Sequence, residues 1–161
     1  MIFLTLGTQK FSFNRLLRKV DTLVEKGIIK DKIFAQIGYS TYKPKHFEYV
    51  KMLSKDDFED YMQKSSFVIS HGGIGTLVSG LRHNKKIIAS PRLKKHNEHI
   101  DDHQVDICTF FERKGYILST TKYSLQECLK VVDDFRSSYV LDETINTKIE
   151  DNIINFIENI K

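Results

Sequence analysis

Six short, mostly apolar runs alternate along this chain with longer stretches of helical spacing, and that alternation restricts the fold more than any other feature. The runs are "IFLTL" at residues 2–6, "KIFAQI" at 32–37, a weaker "HFEYVKML" at 46–53, "SFVIS" at 66–70, "KIIAS" at 86–90 and "GYILS" at 115–119. Between the first two, Phe13, Leu16, Leu17, Val20, Leu23 and Val24 repeat at helical spacing until Gly27 stops them. Ser54 and Asp57 form a capping box ahead of Phe58, Tyr61 and Met62. A third helix follows the glycines at 72–75 and ends near Asn84. A fourth is expected from Asn97 to Gly115, burying Ile100, Ile107, Cys108 and Phe111. Ser124 and Glu127 cap a fifth, and Ile145, Ile149, Ile153, Ile157 and Ile160 stripe a sixth over about 143–160. Strands joined through helices by short connections imply a parallel sheet covered on both faces. The expected architecture is one α/β domain over residues 1–161, doubly wound and Rossmann-like, with the last helix included.

The composition is that of an ordinary globular chain: 161 residues, 40% hydrophobic and 29% charged. A net charge of +4 suits an anionic ligand but is too small to imply nucleic acid. Cys108 and Cys128 fall on apolar helix positions and read as reduced core thiols. The opening "MIFLTL" stops at Gly7, too short for a signal peptide or a membrane span, and no later run approaches that length. The expected location is the cytoplasm. Residues 143–161 carry Glu143, Glu150, Asp151 and Glu158 against Lys148 and Lys161, a net −2, and that anionic face argues against direct membrane binding.

In a doubly wound sheet, ligands bind beyond the carboxyl ends of the strands. The loops there are Gly7-Thr8-Gln9, Gly38-Tyr39-Ser40, His71-Gly72-Gly73 and Pro91 to Glu98. "HGGIGT", residues 71–76, places Gly72, Gly73 and Gly75 at a strand-to-helix turn, where unpaired N–H groups and the helix dipole suit a phosphate. Thr76 adds a hydroxyl, and His71 is expected to add a charge-assisted hydrogen bond. No Gly-Lys-Ser/Thr follows, so this is not a P-loop; Val78 excludes the dinucleotide fingerprint. "HNEHIDDHQ", residues 96–104, places His99 and His103 four apart, as metal ligands on one helix face would be. No third ligand matches that spacing. Asp101, Asp102, His103 and Gln104 can instead hydrogen-bond sugar hydroxyls. Phosphate beside one helix start and hydroxyls beside the next describe a nucleotide sugar.

"SHGGIGTLVSGLRHNKKII", then Pro91 and "DDHQ", resembles the donor-binding half of GT-B glycosyltransferases of the family 28 type. It is similar to the small catalytic subunit of the two-subunit N-acetylglucosaminyltransferase of the dolichol pathway, and to bacterial counterparts in capsule and exopolysaccharide synthesis. The resemblance runs from "TLGTQKF" through "QIGYS" to "DDHQ". It implies that His71, Gly73, Gly75 and Thr76 surround a diphosphate, with Gly72 in the same turn. It implies that His103 and Gln104 contact the donor hexose, and that Gly7 and Thr8 line the cleft. Ser79 stands where many relatives carry an acidic residue for the ribose. The implied activity is inverting transfer of a hexose from a UDP-sugar to a lipid-linked acceptor, with neither metal nor cofactor. The general base is expected from a membrane-associated acceptor-binding subunit, which would also hold this chain at the inner face of the membrane. Two other readings stay open: a non-catalytic nucleotide-sugar-binding or regulatory subunit, and a metal-dependent hydrolase using His99 and His103. Galactose, glucose, N-acetylglucosamine and glucuronic acid are not distinguished by these residues.

Overall fold

The structure, a computed structural model, describes residues 1–139 together with Asn155 and Phe156. The expected sixth helix therefore lies outside the described residues, except that Asn155 and Phe156 are helical and Phe156 stacks on Phe110 with ring centroids 4.2 Å apart. Six strands form one sheet: β1 (Ile2–Thr5), β2 (Ile33–Gln36), β3 (Glu48–Val50), β4 (Phe67–His71), β5 (Lys86–Ser90) and β6 (Leu118–Ser119). Every pairing is parallel and the spatial order is β3-β2-β1-β4-β5-β6. The chain steps outward from β1 to β3 and then returns to lay β4 on the other side of β1. The crevice between β1 and β4 is the switch point at which such sheets bind ligands.

Both faces are covered. Ile2 and Leu4 of β1, Ile69 of β4 and Ile88 of β5 pack with helix α1 (Asn14–Glu25) and with Leu125 and Cys128 of α5 (Leu125–Val131). On the opposite face, Phe3 and Val68 meet Met62 of α2 (Lys55–Lys64). Ile87 and Ala89 there meet α3 (Ile74–Arg82) and α4 (His103–Arg113). This is why the strands read as continuous apolar runs: alternate residues are buried on opposite sides. Ser54 and Ser124 cap α2 and α5 as expected, the second as a full capping box with Glu127. Cys108 and Cys128 are buried free thiols, and burial raises their pKa values to about 12 and about 11.

The segment before α4 departs from expectation. Asn97 does not start the helix; it sits in the left-handed region at φ 56° and ends a short 3-10 turn at Lys94–His96. The helix begins six residues later at His103, and Ile100 is exposed rather than core. The cause is Glu98, a buried carboxylate gripped by Arg15 Nε and Nη2 at 2.9 and 2.8 Å and by the Leu93 amide at 3.0 Å. A helix from Asn97 would have to give up that ion pair. Arg92, in the loop that follows β5, is fully buried and donates to the carbonyls of Leu6, Phe11 and Glu98.

Candidate functional site

A cavity of about 490 Å³ opens at the carboxyl ends of β2, β1 and β4. Its walls are Gly7 and Thr8 after β1, Gln36 at the end of β2, and Leu53, Lys55 and Phe58 around the start of α2. The start of α3, from Gly73 to Thr76, and Gln104 of α4 close the other side, with His71 between them.

His71 is the last residue of β4 and is 7% exposed. Its ring lies against two backbones: a Cβ on Gly7 would stand 2.6 Å from the ring, and one on Gly73 only 2.2 Å from Nε2. Burial is the main cause that lowers its pKa to about 4; Arg92 and His99 add to the shift, and a hydrogen bond with the Thr5 backbone opposes it. His71 is therefore neutral at pH 7, and the expected charge-assisted hydrogen bond is not available from it there.

The three glycines of the turn have separate causes. Gly72 faces α4, where a Cβ would meet Cys108 Sγ at 2.8 Å and Gln104 Cβ at 3.0 Å. Gly73 makes room for His71. Gly75 has nothing within 4 Å of a built Cβ, so the protein alone does not require a glycine there; the open space is the cavity. Helix α3 starts on Gly73 with no capping side chain and no acidic residue in its first turn. Among the described residues no acceptor meets the amides of Gly73, Ile74 and Gly75, while those of Thr76 and Leu77 bond the Gly73 carbonyl. These orphan donors sit at the positive end of the helix dipole, on residues that line the cavity.

The turn is tied down by Gln104. Its Oε1 accepts from the Gly72 amide and from the Arg92 amide, both at 3.1 Å, so only its NH₂ remains for a ligand. Of the side chains that line the cavity, Lys55 alone carries a charge at neutral pH, and none is acidic. The site therefore offers hydrogen-bond donors and positive potential, which suits a polyanion.

Residues 1–155 match the Glycosyltransferase family 28 C-terminal domain. The chain belongs to that family. Its fold is that of an ALG13 solution structure, at 17% identity and TM-score 0.58 over 91% of this chain and 92% of that one. It is also similar to the glycosyltransferase SnogD from Streptomyces nogalater, at 18% identity and TM-score 0.56 over 83% of this chain. A glycotransferase of kitacinnamycin matches likewise, at 14% identity and TM-score 0.56 over 83% of this chain. The family-28 chain spans about a third of the latter two, 35% and 34%. No curated protein sequence matches it at significance. The single α/β domain thus corresponds to the C-terminal half of GT-B enzymes, consistent with a donor-binding half.

Within this family-28 domain the expected residues divide. Gly7, Thr8, His71, Gly73, Gly75, Thr76 and Gln104 line the cavity, whereas Gly72, Ser79 and His103 do not. Ser79 lies one turn beyond Thr76, its hydroxyl 3.5 Å from both oxygens of Glu59 on α2. His103 and His99 do not share a helix face, because His99 precedes α4; both hold Asp101, at 3.2 and 2.8 Å. Among the described residues no group of three or more His, Cys, Asp or Glu is placed to hold a metal ion. The loop at 38–40 serves the fold: a Cβ on Gly38 would meet the Gly7 carbonyl at 2.6 Å, and Ser40 Oγ accepts from the Phe13 amide. Sequence reasoning missed Gln36, Leu53, Lys55 and Phe58 as cavity residues. Gln36 alone left a usable signal, a polar side chain inside an otherwise apolar strand.

Two outcomes test this geometry. Gly73→Ala drives a Cβ into the His71 ring and should lower stability by about 1–3 kcal/mol, while Gly75→Ala should be neutral or stabilising by up to about 1 kcal/mol. Urea unfolding of the two variants measures the contrast, and equal losses would contradict it. The second concerns acid. Unfolded histidine titrates near 6.5, and His71 in the fold near 4, so both states are neutral above that range. As the pH falls from 6.5 towards 4 the unfolded chain takes up a proton that the folded chain refuses, and stability should drop by roughly 3 kcal/mol in total. His71→Asn should flatten that slope; parallel pH profiles for variant and wild type would contradict the burial argument.

Proposed function

We propose that this chain is the donor-binding, catalytic subunit of a two-component inverting glycosyltransferase, which moves a hexose from a UDP-sugar to a lipid-linked acceptor in capsule or exopolysaccharide synthesis. The observation that carries this reading is the uncapped start of α3, with three orphan amides and an open Gly75 lining an acid-free cavity. A diphosphate there would accept from the Gly73, Ile74 and Gly75 amides and from the Thr76 hydroxyl. Lys55 and the helix dipole supply the positive charge, so the proposed site works without a divalent ion. The Gln104 NH₂, toward β5, donates to a hexose hydroxyl or to the phosphate.

In the proposed reaction an acceptor hydroxyl oxygen attacks the anomeric carbon from the side opposite the diphosphate. The bond from that carbon to the phosphate oxygen breaks, and its electron pair leaves with UDP. The α3 amides bind the charge that develops on that oxygen. The hydroxyl proton passes to a base on the partner. A second domain would exclude water and hold the acceptor in line, tasks for which one open face has no groups. Among the described residues no helix is long and apolar enough to cross a membrane. In this proposal a cytoplasmic chain reaches its lipid-linked acceptor through a membrane-associated partner. The likeness to ALG13 across nearly the full length of both chains supports a stand-alone donor subunit.

Co-expression with candidate membrane-associated acceptor-binding subunits, followed by a screen of UDP-sugars for turnover, tests the proposal. The pair should transfer orders of magnitude faster than this chain alone, and Gly75→Val should abolish transfer while the protein stays folded. Full activity from the isolated chain would contradict the two-component reading. Undiminished transfer by a pair carrying Gly75→Val would assign this chain a regulatory role instead.

A further inference from the structure

We propose that the basic stripe of helix α1, with the apolar edge beside it, is a docking site for the phosphates of anionic lipid headgroups. The reading above brings the chain to a bilayer only through a partner. This contact would be made by the chain's own residues, on the face of the sheet covered by α1 and α5 and opposite α2, α3 and α4.

A second cavity, of about 520 Å³, lies between α1 and the start of α5. Arg15, Arg18, Lys19 and Thr22 line it at helical positions i, i+3, i+4 and i+7, so one stripe of α1 forms a wall. Ser90 and Thr120 line it from the ends of β5 and β6, their hydroxyls 2.9 Å apart, and no acid lines it at all. Arg15 is matched by Glu98. Arg18 and Lys19 are exposed, and among the described residues neither has a carboxylate partner or an acceptor for its N–H groups. The Arg18 guanidinium lies over the Tyr42 ring, 4.3 Å from its centroid, which fixes the side chain and leaves its donors free. Like charges three and four residues apart destabilise a helix. Within the described chain nothing offsets that cost, whereas an external polyanion would.

The surroundings say which anion. An apolar groove of about 370 Å³ adjoins this cavity, and Tyr123 lines both. Leu118 of the edge strand β6, Cys128 and Val131 form the rest of its apolar wall. Tyr123 is 56% exposed and Val131 50%, so apolar surface stands open directly beside the cations. Glu127, which also lines that groove, has its carboxylate on the Ser124 amide at 2.7 Å. A free phosphate would use the cations and leave the groove empty. A lipid headgroup layer uses both: its phosphates meet the α1 stripe, and Tyr123 and Val131 enter the boundary between headgroups and acyl chains, where tyrosine is favoured. Cations strung along a helix, rather than gathered about one point, also suit a layer of charges better than a single ion.

The test is co-sedimentation of the purified chain with phosphatidylcholine vesicles, with and without phosphatidylglycerol, beside a titration with glycerol phosphate. Wild type should partition onto the anionic vesicles about tenfold more strongly than onto the neutral ones, and added salt should weaken this. The double variant Arg18→Glu with Lys19→Glu should remove that preference, and Arg18→Gln with Lys19→Gln should reduce it. Tyr123→Ser should weaken partitioning while leaving its salt dependence. Lys26→Glu with Lys30→Glu, exposed positions beyond the other end of α1, makes the same change in net charge and should bind nearly as wild type does. Equal losses from the two charge reversals would reduce the effect to overall charge and overturn the inference. So would equal binding to both vesicles, or saturable binding of glycerol phosphate with no vesicle binding, which marks a site for a soluble anion. UDP titration of the same proteins tests the α3 site separately, and its outcome does not depend on this one.

Discussion

Everything at the mouth of the sheet is arranged around the imidazole of His71, packed where two backbones pass too close to admit a side chain on either. Gly7 and Gly73 are glycine because the ring fills the space a Cβ would take, and Gly7 is also held in the left-handed region at φ 72°. Gly38 in turn packs beneath the Gly7 carbonyl. From the other side, the Gln104 oxygen joins the amides of Gly72 and Arg92, and the buried Arg92 guanidinium binds carbonyls in the loops that follow β1 and β5. Four loops are thereby locked before any ligand arrives. The start of α3 has its orphan amides fixed in direction, which is the preorganisation that electrostatic catalysis requires.

The electrostatics follow from the same packing. A protonated histidine would repel Arg92 and pay for desolvation, so His71 stays neutral and the cavity takes its positive character from the α3 dipole and Lys55. The whole-chain charge of +4 says little about this. The site charge comes from orientation of peptide groups, which no residue count records. At the starts of α2 and α5 a serine oxygen accepts from a first-turn amide, that of Asp57 or Glu127, and acids stand in the same turn. Helix α3 keeps its own amides for something else.

Much of the fold was legible because its determinants are local. Continuous apolar runs marked the strands, and Ser54 and Ser124 marked two helix starts through bonds to residues three positions on. The start of α4 was not legible, because Asn97 and Ile100 obey a contact between Glu98 and Arg15, 83 residues apart. The same distinction runs through the site. The "HGGIGT" turn announced itself by composition, yet the separate purposes of Gly72, Gly73 and Gly75 depend on α4, on His71 and on empty space. Gln104 was expected as a sugar contact and is first a brace between two backbones. Ser79 was expected near a ribose and instead faces Glu59 on a neighbouring helix. Gln36, Leu53, Lys55 and Phe58 come to the cavity only because the sheet order sets β2 and α2 beside β1, a non-local fact.

The central claim is that the N-terminus of α3 receives the diphosphate of a UDP-sugar. Its most direct test is a titration of ¹⁵N-labelled protein with UDP in the presence of EDTA, followed residue by residue in amide spectra. The account predicts saturable one-to-one shifts, largest at Gly73, Ile74 and Gly75, with His71 perturbed alongside and no need for a divalent ion. Absence of shifts at those three amides at saturating UDP, or binding that vanishes with EDTA, would contradict it.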